Sequence, residues 1–80
     1  MKTIRVLYFA KLRDDAGCSE KTVQSDAGNL GQLYADLAQS DGLTLGIEHL
    51  KVALNGDFAS FDCPFNDGDE VAWIPPVAGG

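Results

Sequence analysis

The sequence predicts an α+β fold, a mixed sheet covered on one face by a single main helix. Three observations lead there. Five short stretches carry the β-branched and aromatic residues that suit strands, one stretch carries a helical apolar period, and Gly-rich turn signals separate them. Eighty residues give room for one domain with a thin core. The composition, 45% hydrophobic and 22% charged, is that of a globular chain rather than a disordered one. We divide it into a domain over 1–74 and an extended tail over 75–80.

Taken in order, "TIRVLYFA" (Thr3–Ala10) reads as the first strand. "AGCSE" reads as a turn, and "EKTVQ" (Glu20–Gln24) as a short partner strand. Leu30, Leu33, Tyr34 and Leu37 then fall at i, i+3, i+4 and i+7, one face of an amphipathic helix. Asn29 or Asp26 can cap its start, and Gly42 is a stop signal. Gly31, inside that helix, costs about 1 kcal/mol relative to Ala. "TLGIEHL" is consistent with a short helical turn. "LKVAL" (Leu50–Leu54) reads as a strand, Asn55-Gly56 as a hairpin turn and "DFAS" as the returning strand. Asn66-Asp67-Gly68-Asp69 makes a further tight turn before "EVAWI" (Glu70–Ile74). Pro75 has no N–H to give to a ladder, so the last strand ends there.

Strand alternation sorts these residues onto two faces. Ile4, Val6, Tyr8, Val71 and Trp73 are assigned to the core beneath Leu30, Leu33 and Leu37. Leu7, Phe9 and Ile74 then fall on the uncovered face, joined by Phe58 from the hairpin. An apolar cluster on an uncovered sheet is the signature of a partner-binding surface.

The formal net charge is −6 and its placement is uneven. All six basic side chains lie in residues 1–51, whereas residues 52–80 hold Asp57, Asp62, Asp67, Asp69 and Glu70 with no Lys or Arg. Such a surface repels nucleic acid and anionic membrane, and it favours an electropositive protein partner. The apolar run Val6–Ala10 is too short and too interrupted for a signal peptide or a membrane span, which predicts a cytoplasmic protein. Cys18, Cys63 and a lone His49 have no metal-ligand spacing, so no metal site is expected, and both thiols are read as free and incidental.

The segments "RVLYFAKLRDDAG" and "NDGDEVAWIPPVAGG", with this element order and length, resemble the small sulfur-carrier subunit of molybdopterin synthase, a ubiquitin-like β-grasp family. The resemblance spans essentially the whole chain. A terminal Gly-Gly is shared with ubiquitin and the thiamine sulfur carrier, so D-G-D-E-V-A followed by P-P-V-A-G-G is the more specific part. The tail also lacks the arginine of ubiquitin. The resemblance implies chemistry on the Gly80 carboxylate. A ubiquitin-activating-like adenylyltransferase uses ATP to adenylate it, and a sulfur donor converts it to a thiocarboxylate. The sulfur then passes to a cyclic pyranopterin monophosphate on the large catalytic subunit, in a heterotetramer of two small and two large subunits. The carrier binds no cofactor and supplies no catalytic group.

The tail residues suit that cycle. Six extended residues reach about 20 Å, enough to thread a buried site from a docked domain. Gly79 and Gly80 have no Cβ and fit a narrow passage. Pro75 and Pro76 stiffen the base and reduce the entropy lost on insertion, and Val77 offers an apolar anchor. Leu7, Phe9, Phe58, Ile74, Pro75, Pro76 and Val77 are therefore the expected partner contacts. The same residues are compatible with a carrier for thiamine or another sulfur pathway, with a modifier of protein lysines, and with a ubiquitin-like binding module whose Gly-Gly is incidental. An electron-transfer β-grasp protein is excluded, because its iron–sulfur cluster takes four cysteines and this chain has two.

Overall fold

The computed structural model describes residues 1–76; the tail positions Val77, Gly79 and Gly80 lie outside the described residues. The elements are β1 (Lys2–Tyr8), α1 (Ala10–Ala16), β2 (Glu20–Ser25), α2 (Leu30–Asp41), a 3₁₀ turn (Ile47–His49), β3 (Lys51–Leu54), β4 (Asp57–Ala59) and β5 (Glu70–Ile74). The strands form one sheet in the order β2-β1-β5-β3-β4, parallel between β1 and β5 and antiparallel elsewhere. This is the expected α+β, ubiquitin-like β-grasp architecture. Its consequence for the tail is mechanical. β5 is the central strand, so Pro75 leaves a segment bonded on both sides, by β1 and by β3.

Alternation put the core where it is. Ile4, Val6, Tyr8, Val71 and Trp73 are all at most 1% exposed, and Leu30, Leu33, Tyr34 and Leu37 bury the apolar stripe of α2 against them. Trp73 is the hub: Tyr34 meets its ring edge-on at 5.1 Å, and Phe61 lies parallel to it at 6.4 Å. Phe61 and Phe65 come from the irregular stretch before β5. Phe65 is 1% exposed, and the Lys2 ammonium lies 4.4 Å from its ring centroid.

Two features depart from the sequence reading. β1 stops at Tyr8 instead of running to Ala10, and a seven-residue helix, α1, occupies the stretch between the strand and the "AGCSE" turn, to which the sequence reading assigns no element. Ala10 opens α1 with φ of 50°, a left-handed conformation uncommon for a residue with a Cβ, which turns the chain from strand to helix in one step. Leu12, fully buried, anchors the helix to the core.

The start of α2 explains Gly31. A helix begins with unpaired N–H groups. Here Leu30 N donates to Cys63 O (3.0 Å), Gly31 N to Phe61 O (2.8 Å) and Gln32 N to the Asn29 side chain (2.8 Å). Asn29 is thus the cap, while Asp26 instead meets the N-terminal amine at 3.4 Å. A Cβ on Gly31 would sit 3.3 Å from the Phe61 carbonyl oxygen, which the hydrogen bond holds in place. The helix interior carries a glycine because the loop before β5 comes this close.

Asp41, at the other end of α2, accepts from the Tyr8 hydroxyl (2.6 Å) and from Lys21 Nζ (2.6 Å), tying helix, β1 and β2 together. Desolvation pushes this carboxyl upward, but the hydrogen bonds from Lys21 and Tyr8 and the Lys21 charge outweigh it and hold it below the usual carboxylate range. Because folding lowers this pKa, its contribution to stability is full above the unfolded value of about 3.9 and fades as pH falls through the lower folded value. Asp41→Asn should cost about 2 kcal/mol at neutral pH, measured by denaturant unfolding, since hydrogen bonds to a charged group are lost. Below about pH 4 the wild-type protein should lose stability more steeply than the Asn variant.

Candidate functional site

The sheet face opposite α2 is the candidate site, and register shows how it is assembled. Leu7 pairs with Glu20 on one side and Ala72 on the other, Ala72 pairs with Ala53, and Ala53 with Phe58. Paired residues point the same way, so Leu7, Ala72, Ala53 and Phe58 form one row across four strands. Two alanines in the middle make a shallow floor between a leucine and a phenylalanine. Phe58 is 72% exposed. One step toward the tail, Ile74 pairs with Lys51. One step the other way, Arg5 pairs with Glu70 and Thr22.

Leu7, Phe58 and Ile74 therefore share one face, as alternation predicted. Phe9 reaches this end of the sheet differently. It is not a strand residue but the N-cap of α1, 47% exposed beside the Ala10 turn. Pro75 and Pro76 line a surface groove of about 530 Å³ together with Glu48, His49, Leu50, Lys51 and Ile74. A neighbouring hollow of about 420 Å³ runs over Leu50, Lys51, Phe58, Ala59 and Phe61. The apolar surface thus continues from the sheet face around the base of the tail.

The acidic residues sit elsewhere than counting by halves suggests. Glu70 lies four residues before Ile74, about 13 Å along the strand from the tail. It faces Arg5 Nη1 at 3.5 Å, and Arg5 Nε reaches Glu20 at 2.6 Å, a surface ion triplet at the far end of the face. Asp69 is occupied structurally, accepting from Asn55 Nδ2 (3.0 Å) and Asn66 N (2.7 Å). The Asn55 hydrogen bond and that backbone N–H keep its carboxyl below the usual range. Asn55 in turn accepts from Glu70 N at 2.9 Å, so the Asn55-Gly56 turn (φ 53° and 90°) and the Asn66–Asp69 turn are clasped together. Asp57, next to that turn, pairs with Leu54 and so points to the other side of the sheet, in the row of Val71. The sequence reading placed Asp57, Asp69 and Glu70 around the patch; Glu70 lines only its far edge, Asp69 is taken up by the turn before β5, and Asp57 belongs to the opposite face. Lys51 was missed. Its signal was its strand position, since any β3–β5 pairing puts it beside the tail.

Cys18 and Cys63 are both free and partly buried. Among the described residues no group of three or more His, Cys, Asp or Glu is placed to hold a metal ion, and no helix is long and apolar enough to cross a membrane.

A family model described as the ThiS family matches residues 6–80, from the end of β1 through the tail. The chain belongs to the ThiS family. Within its relatives, the molybdopterin synthase sulfur carrier subunit of Escherichia coli (strain K12) is 42% identical over 80 residues, covering 96% of this chain and 99% of that protein. Among solved structures, SAMP1 from Haloferax volcanii superposes with a TM-score of 0.80 at 27% identity, over 98% of this chain and 99% of that one. A chain in the complex of subunits 1 and 2 of the molybdopterin-converting factor from Helicobacter pylori gives a TM-score of 0.67 at 26% identity, over 98% and 99%. The ThiS-family match covers both the domain sequence and the tail, since it runs to Gly80.

Proposed function

We propose that this protein is the sulfur-carrier subunit of molybdopterin synthase, with the Gly80 carboxylate as the atom group that carries sulfur. The observation that carries the reading is the placement of the tail. It leaves the central strand of the sheet at Pro75 beside an uncovered apolar face, and the family match takes in Gly79-Gly80. The 42% identity to a relative of that name supports the same reading. The protein is a co-substrate and subunit, not a catalyst in its own right, and works in the cytoplasm.

A carboxylate is a poor acyl donor because its oxygen leaves badly. In the proposed cycle a Gly80 oxygen attacks the α-phosphorus of ATP on a ubiquitin-activating-like adenylyltransferase, and pyrophosphate leaves. A sulfur donor then displaces AMP, which departs with the bridging oxygen, and the product is a thiocarboxylate. With the carrier docked on the large subunit, the thiocarboxylate sulfur bonds to a carbon of the cyclic pyranopterin monophosphate and displaces an oxygen substituent there, which leaves an acyl thioester. Water takes the acyl group and restores the carboxylate. A pair of such deliveries completes a dithiolene, which suits an assembly of two small and two large subunits. Leu7, Phe9, Phe58 and Ile74 dock the carrier, while Pro75, Pro76 and Val77 guide the tail.

The test is a single turnover in which thiocarboxylated carrier is mixed with the large subunit and the pterin substrate. Loss of the thiocarboxylate in step with pterin sulfuration is expected; a thiocarboxylate that persists overturns the reading. Replacing Cys18 and Cys63 together with Ser should leave this turnover within about twofold of wild type, because the sulfur rides on the terminal carbonyl and not on a thiol. A folded double variant that no longer transfers would show that a thiol takes part.

A further inference from the structure

We infer that Lys51 is an orienting residue of the docking face, and that the partner meets it with a carboxylate. The inference rests on the proposed docking of the sheet face and adds the sign and place of one charge. Three observations carry it. Lys51 is the neighbour of Ile74 across the β3–β5 pair, on the uncovered face at the base of the tail. It stands between the groove at Pro75–Pro76 and the hollow beside Phe58, lining both. Of the two cations on this face, Arg5 is neutralised by Glu20 and Glu70, whereas no carboxylate of the described residues lies within 4.0 Å of Lys51. Glu48, in the same groove, turns toward His49 instead, at 3.6 Å.

The face is therefore electrically polar. Its far edge carries the Arg5–Glu20–Glu70 triplet, with one net negative charge, and its tail edge carries an ammonium that no carboxylate of the described residues neutralises. A partner that is basic throughout would be repelled at the edge where the tail must enter. One that is basic toward the far edge and acidic opposite Lys51 fits in a single direction, and that direction points the tail into the receiving site. A reversed docking puts like charges together at both edges. Orientation is thus set by attraction in one pose and repulsion in the other.

The experiment titrates full-length carrier variants against the large synthase subunit of the same organism at low and high salt, with thermal unfolding as the check on folding. Lys51→Met keeps an apolar stem and should bind about tenfold more weakly, Lys51→Glu about a hundredfold, and Lys51→Arg close to wild type. The gap between wild type and Lys51→Met should narrow as salt rises, which lost packing alone would not produce. Phe58→Asp separates this inference from the docking reading beneath it. If Phe58→Asp abolishes binding while Lys51→Met and Lys51→Glu bind like wild type, the Lys51 contact is refuted and the docking face stands. If Phe58→Asp also binds like wild type, the docking face itself is refuted. Tighter binding by Lys51→Glu, or a salt-independent loss in Lys51→Met, would equally overturn the charge assignment.

Discussion

A carrier lacking Gly79 and Gly80 is expected to unfold at the wild-type temperature and to deliver no sulfur at all. The two halves of this expectation have separate causes. Stability resides in the residues around Trp73: the core strands, the stripe of α2, and Phe61 and Phe65 from the loop before β5. All of them precede Pro75, where the last strand has ended. Transfer, in the proposed cycle, depends on where the terminal carbonyl sits. Removing two residues withdraws it by up to about 7 Å, and reacting atoms must approach to roughly 3–3.5 Å. The shortened chain would also end on Ala78, whose Cβ adds bulk where a glycine fitted. Unfolding temperature and pterin sulfuration, measured on one preparation, check both halves. Substantial residual transfer would show that the terminal glycines are not the working end.

Phe58→Asp should weaken binding to the large subunit and to the activating enzyme by more than a hundredfold each, with unfolding unchanged. Phe58 is 72% exposed on β4, an edge strand, so the folded monomer loses little when it changes. In a complex the same ring would be a buried aromatic anchor, the residue type whose loss costs 2 kcal/mol or more, and an unpaired carboxylate there costs further. Both partners need the tail, and the tail leaves beside this one face, so they should exclude each other. Adding the large subunit to a preformed complex with the activating enzyme should displace that enzyme. A stable ternary complex would refute the shared face. Gln32→Ala, on the outer side of α2, should change neither affinity.

The strands and α2 were legible because their signals are periodic. Val71 and Trp73 alternate with Ala72 and Ile74, and both predicted core residues are fully buried. α1 was not legible because a helix of seven residues with one buried side chain, Leu12, offers no period to detect. Its strand-like opening, Phe9-Ala10, points away from helix, and the left-handed turn at Ala10 has no glycine to mark it. Phe61 and Phe65 were missed for a related reason. They lie in aperiodic sequence, and their burial follows from the loop's return to cap α2. At the candidate site alternation found Leu7 and Ile74, the hairpin supplied Phe58, and Phe9 was placed on a strand that ends one residue before it. Charge had been counted by halves of the chain, however, and a pairing register is needed to see that Asp69 is engaged, that Glu70 is distant, and that Lys51 stands beside the tail.

The central claim, that sulfur travels on the Gly80 carboxylate, is tested most directly by the intact mass of the protein purified from a cell competent in sulfur transfer. Replacing one terminal oxygen by sulfur adds about 16 Da, and fragmentation should place the addition on the C-terminal glycine. The account predicts a population carrying this increment that disappears when the activating enzyme is deleted. An unmodified mass in every preparation, or sulfur found instead on Cys18 or Cys63 as a persulfide, which adds about 32 Da, would contradict it.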